Sequence, residues 1–207
     1  MAGPDPWPTI AAERGALADD LEKLDDSQWS SPSLCEGWSV REVVGHMAAT
    51  ARYNKVNFVT KIIGSGFRLT HLQEKDIARE LEGTPADTLR RFREIVSSTK
   101  SPPGPSMSWL GETIVHGEDV RRPLGITHMY PTEALTWVAD FFKGSNLVIG
   151  SKKRIAGLKL NATDADWTHG DGPEVSGPMI SLVMAMTGRK PAVDDLKGEG
   201  VETLRSR

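Results

Sequence analysis

The 207 residues are 38% hydrophobic and 26% charged, ordinary proportions for a globular chain that builds one large domain or one domain with a small appendage. A net charge of −3 with a pI near 6.0 offers no basic footprint for nucleic acid. No apolar run approaches the roughly 18 residues that would cross a bilayer, and the opening Met-Ala-Gly-Pro-Asp-Pro-Trp-Pro lacks the basic start and apolar core of a signal peptide, so the cytoplasm is the expected compartment.

The first periodic stretch, Ile10 to Leu24, sets Leu17, Leu21 and Leu24 at helical spacing. A polar loop follows from Asp25 to Gly37. It holds Cys35, the single cysteine, which excludes an internal disulfide and a cysteine-based zinc cluster. With no sequence neighbour to lower its pKa, Cys35 reads as a small, partly buried residue and not a nucleophile. Ser39 and Glu42 then form a capping box flanked by Trp38 and Val43 at the staple positions. The helix they open is expected to run to about Ile63 and stop at Gly64-Ser-Gly66, with Val40, Val43, Val44, Met47, Ala51, Phe58 and Ile62 as its apolar stripe. His46 lies beside Val43 and Met47.

Thr70 to Leu81 predicts a charged helix, and Thr84-Pro85 starts another that carries Leu89, Phe92 and Val96. Ser101-Pro-Pro-Gly-Pro-Ser106 breaks the chain. From about Met107 to Arg121 a helix carries Trp109, Glu112, Thr113, His116 and Val120 on one stripe, and Pro131 to Lys143 forms the next helix. After Gly144, Ile155 to Leu160 reads as a strand, Trp167 to Gly177 as a short strand with a turn, and Met179 to Thr187 as an apolar helix ending at Gly188-Arg189. The expected division is a bundle over residues 1–145 and a small α+β segment over 146–207. That segment is too small to stand alone and is expected to pack on the bundle and cover the open end of its site.

Glu112 and His116, four residues apart, share one helix face. Such a pair is most often a solvated surface contact, and a single helical His is most often merely hydrogen-bonded. A carboxylate left on an apolar stripe without a cation costs about 3–5 kcal/mol, however, and a divalent ion would supply the missing charge. His46 from a neighbouring helix offers a third ligand, and three protein ligands leave an open coordination position. Zinc is the default for two imidazoles and a carboxylate, with nickel, cobalt and manganese also suited. Asp119 can accept from the ring N–H of His116 or pair with Arg121 or Arg122. His71, His128 and His169 sit in loop or helix-end contexts and are expected to be exposed.

Two blocks hold these residues: Trp29 through Trp38 to His46, and Trp109-Leu-Gly-Glu112-Thr-Ile-Val-His116-Gly-Glu-Asp119 through Pro123-Leu-Gly125. Together they resemble the mycothiol-dependent maleylpyruvate isomerase family, a branch of the DinB-like superfamily, over roughly residues 8–145. The tail is similar to the short C-terminal segment of actinobacterial relatives. The resemblance implies a mainly α fold, a DinB-like four-helix bundle with a small α+β appendage, and metal ligands at His46, Glu112 and His116. It further implies mycothiol as cosubstrate, its thiol activated for addition to an electrophilic small molecule by an isomerase or S-transferase. By analogy with a C-terminal arginine of the isomerases, Arg189 is a candidate to hold an anionic substrate. Metal-assisted hydrolysis and a non-catalytic binding or regulatory module are the competing readings, and the chain is expected to act as a monomer or homodimer.

Overall fold

Ile10, Leu17, Ala18 and Leu21 recur at helical spacing, and burying that stripe makes the first helix, α1 (Trp7–Leu21). The computed structural model describes residues 3–64, 69–147 and 149–207; the side chains of residues 55, 62–64 and 69–71 lie outside the described set. The expected loop after α1 contains a short helix, α2 (Asp26–Trp29), because the Asp25 carboxylate accepts from the Ser27 and Gln28 N–H groups and Gln28 reciprocates. This turn drives Trp29 into the core, where it is 3% exposed.

Ser39 opens α3 (Val40–Thr50) with the expected capping box to Glu42. The helix then stops. Residues 51–54 turn, and the Asn54 side chain accepts from the Val56 and Asn57 N–H groups to start a separate α4 (Lys55–Gly64). One long helix to Ile63 is therefore corrected to two, with Asn54 the new cap. The stop at Ser65 and Gly66 and the stripe position of Ile62 fall outside the described residues or side chains. Next come α5 (Leu69–Glu80), α6 (Pro85–Arg93), capped by Thr84 with Asp87, and α7 (Ser106–Arg121).

Four helices share one core. Leu17 and Leu21 of α1, Val40, Val43, Val44 and Met47 of α3, Phe92 of α6 and Val120 of α7 form a single apolar cluster with Trp29 and Ile95, and α5 packs on α3. Phe92 has no exposed surface, so its truncation to Ala costs about 3–5 kcal/mol.

By its contacts the chain divides into two compact units, Met1–His128 and Met129–Arg207. In the second, α8 (Thr132–Gly144) packs on α10 (Met179–Met186) and on the single turn α9 (Ser151–Arg154). Between α9 and α10 lie β1 (Lys159–Ala162), β2 (Thr168–His169) and β3 (Glu174–Gly177), in the order β2-β1-β3. β1 runs antiparallel to β2, with Leu160 opposite His169, and parallel to β3, with Leu160 opposite Val175. β1 starts at Lys159, later than expected, because Ile155 closes α9 and Gly157 turns the chain at φ +71°. Glu174–Gly177, expected as a turn, is a strand. A Cβ at Gly170 would collide with the Leu158 carbonyl oxygen, which is why glycine stands where β2 meets the start of β1. A 3₁₀ turn over Lys190–Asp195 and α11 (Val201–Arg205) complete this unit. The chain is mainly helical with a small α+β C-terminal part.

Candidate metal centre

α3 and α7 pack on each other, and each presents an i,i+4 pair: His46 with Thr50, and Glu112 with His116. The pairs meet in antiparallel register. The His46 and His116 rings stand 5.0 Å apart, edge to face at 80°. One turn on, about 6 Å along the axes, Thr50 lies near enough to Glu112 to help hold its pKa down.

Local chemistry fixes this register. The Ser39 cap sets where α3 begins, and the Trp38 ring before it lies 5.1 Å from that of His46. The loop entering α3 is tied to α7 by the Leu34 N–H, which donates to the Asp119 carbonyl at 3.0 Å. Cys35, in this loop, is half-buried as expected. His116 Nδ1 lies 2.9 Å from Asp119 Oδ2, and Asp119 has no exposed surface. The contact expected of Asp119 with His116 is present. Arg121 Nε meets Asp20 at 2.9 Å and Arg122 Nε meets Glu118 at 2.7 Å.

Burial, with His116 as a second cause, pushes the His46 pKa down to about 3. Burial raises the Glu112 pKa, opposed by His116, by Arg14 and by Thr50. Arg14 corrects the premise that Glu112 lacks a cation. It is 3% exposed, and its Nη1 donates to the carbonyls of Ile95 at 3.3 Å and Ser98 at 3.0 Å while its charge acts on Glu112. The signal for it was present in α1: Arg14 occupies the stripe of Ile10, Leu17 and Leu21, a face where an arginine needs a polar partner.

Among the described residues no three His, Cys, Asp or Glu side chains are gathered closely enough to hold an ion as they stand. The fit to a divalent ion is one of donor chemistry and shared faces: two imidazoles meet edge to face, and a carboxylate lies one turn away on α7, a set suited to zinc.

Arg189 belongs to the C-terminal unit, just after α10. Its Nη1 donates to the Thr187 carbonyl at 3.2 Å, and its charge helps, after burial, to lower the Arg154 pKa. Two other histidines depart from the expected exposure. His128 Nε2 lies 2.7 Å from Glu13, with 19% of the side chain exposed, and His169 is half-buried beside Trp167 at 6.3 Å. The side chain of His71 lies outside the described residues.

Residues 10–101 match the family described as mycothiol maleylpyruvate isomerase N-terminal domain. No curated protein matches the chain. Two solved structures are similar, a crystal structure of the mycothiol-dependent maleylpyruvate isomerase and one of its histidine-to-alanine mutant. Each is 15% identical, with a TM-score of 0.65, covering 93% of this chain and 91% of the other. At that identity the likeness is one of fold. No described helix is long and apolar enough to cross a membrane.

Proposed function

We propose that this chain is a metal-dependent enzyme, a reading supported by the match of residues 10–101 to the mycothiol maleylpyruvate isomerase N-terminal domain. It activates mycothiol for addition to a small electrophilic substrate, as an isomerase or an S-transferase. The observation that carries the reading is the meeting of His46 and His116 at one interhelical face, with Glu112 one turn away on α7. A divalent ion held by His46, Glu112 and His116 would supply thiol deprotonation at neutral pH.

The chain's own residues prepare that site. Burial keeps the His46 ring unprotonated at neutral pH, so it offers a lone pair. The Asp119 carboxylate accepts from Nδ1–H of His116, and in that tautomer Nε2 is the donor atom. Glu112 adds the negative charge, and a set of three protein ligands is the pattern of catalytic sites, where one position stays available to a small molecule. Elemental analysis of the purified protein tests the reading. It predicts about one divalent ion per chain and its loss in His116→Ala. A metal-free wild type, or full occupancy in the variant with all three residues changed to Ala, would overturn it.

A further inference from the structure

The two imidazoles are held in different ways. His116 has a carboxylate at Nδ1, with Asp119 Oδ2 at 2.9 Å. Among the described residues His46 has no such hydrogen-bond partner, and its neighbours are two other rings, His116 at 5.0 Å and Trp38 at 5.1 Å. The Trp38 and His46 planes are tilted by 54°, at a separation ordinary for packed aromatic pairs. An imidazole that binds a metal is usually oriented by a hydrogen bond to its other nitrogen. For His46, ring packing takes that place.

Trp38 can orient a neighbour because its own backbone is fixed on both sides. Its N–H donates to the Cys35 carbonyl at 3.0 Å, and its carbonyl accepts from the Ser33 N–H at 2.9 Å and from Ser33 Oγ at 2.7 Å. Ser39, the next residue, caps α3, and the Val40 N–H donates to the Ser31 carbonyl at 2.9 Å. The same loop reaches α7 through the Leu34 N–H, which donates to the carbonyl of Asp119, the residue whose side chain meets His116. One loop therefore places the indole relative to both helices. Trp38 also has an ordinary role, since it stands half-buried at the staple position before the cap, against the core that includes Val43. A staple needs apolar bulk but no ring. The contact with His46 is what a ring adds.

We propose that Trp38 is the positioning residue for His46: its indole, fixed by the loop over 33–39, packs against the imidazole and holds it where it meets His116. The role rests on the reading of His46, Glu112 and His116 as ligands. One histidine is then set by a carboxylate and the other by an aromatic ring. Outer partners of this kind raise metal affinity because the ligand is in place before the ion arrives.

The test is zinc affinity of the intact protein, in competition with a chromophoric chelator. Trp38→Leu keeps an apolar staple and removes the ring, whereas Trp38→Phe keeps both. The proposal predicts zinc binding about 10- to 100-fold weaker in Trp38→Leu, near the wild-type value in Trp38→Phe, and altered cobalt d–d bands only in Trp38→Leu. Cobalt bound beside His46 should also quench the Trp38 indole, so the wild type should lose more tryptophan emission than Trp38→Phe, a readout that stands even if Trp38→Leu fails to fold. Wild-type affinity in Trp38→Leu, equal loss in both variants, or equal quenching in wild type and Trp38→Phe would overturn the role of Trp38 while leaving the ligand set intact. A wild type that binds no zinc would instead sink the ligand set, and the proposal with it.

Discussion

Acidifying the metal-free protein should destabilise it through His46. The folded state holds this ring near a pKa of about 3, against 6.5 in the unfolded chain. A depressed histidine binds fewer protons when folded, so its contribution to stability is fully present above pH 6.5 and lost as pH falls towards 3. One pH unit well inside that window is worth about 1.4 kcal/mol. Because titration starts gradually around 6.5, the drop from pH 7 to pH 5 sums to about 2 kcal/mol. Stopping at pH 5 stays above the ordinary range of exposed carboxylates. Glu112 acts with the opposite sign, since a raised carboxyl pKa makes acidification favour the folded state. The comparison must therefore be a difference. Urea unfolding of chelator-treated wild type and His46→Gln at pH 7, 6 and 5 isolates the histidine, and the wild type should lose about 2 kcal/mol more than the variant over that range. Parallel stability profiles would refute a buried, unprotonated His46.

Two further outcomes follow from the same geometry. Asp119→Asn removes the carboxylate that fixes the His116 ring and should weaken metal binding by about 10- to 100-fold with the fold intact; titration against a chelator measures it, and an unchanged affinity would assign Asp119 a purely structural place. Arg189→Ala tests the assignment of that guanidinium to an anionic substrate: a raised KM at unchanged metal content supports it, and an unchanged KM removes it.

Local signals were legible and register was not. The capping boxes at Ser39 and Thr84 lie within four residues of chain, and both helices begin where those residues say. The break at 51–54 was hidden because the apolar period continues through Phe58, while the signal that ends the helix is a single Asn54 side chain. The meeting of His46 with His116 was visible only through the family blocks, since nothing in either segment alone says that the other faces it. The place of Arg14 on the apolar stripe of α1 was legible, but its partner was not, because that depends on α1 and α7 lying side by side at a particular height, a tertiary property carried by the whole core. β3 was missed because the parallel partner that satisfies it, β1, lies across an intervening strand in sequence.

Cobalt-substituted protein titrated with mycothiol bears most directly on the claim that His46, Glu112 and His116 hold a metal that activates a thiol. A sulfur-to-cobalt charge-transfer band should grow in the wild type as mycothiol is added, and it should be absent from His116→Ala. A wild-type cobalt spectrum that mycothiol leaves unchanged would contradict thiol activation at this centre.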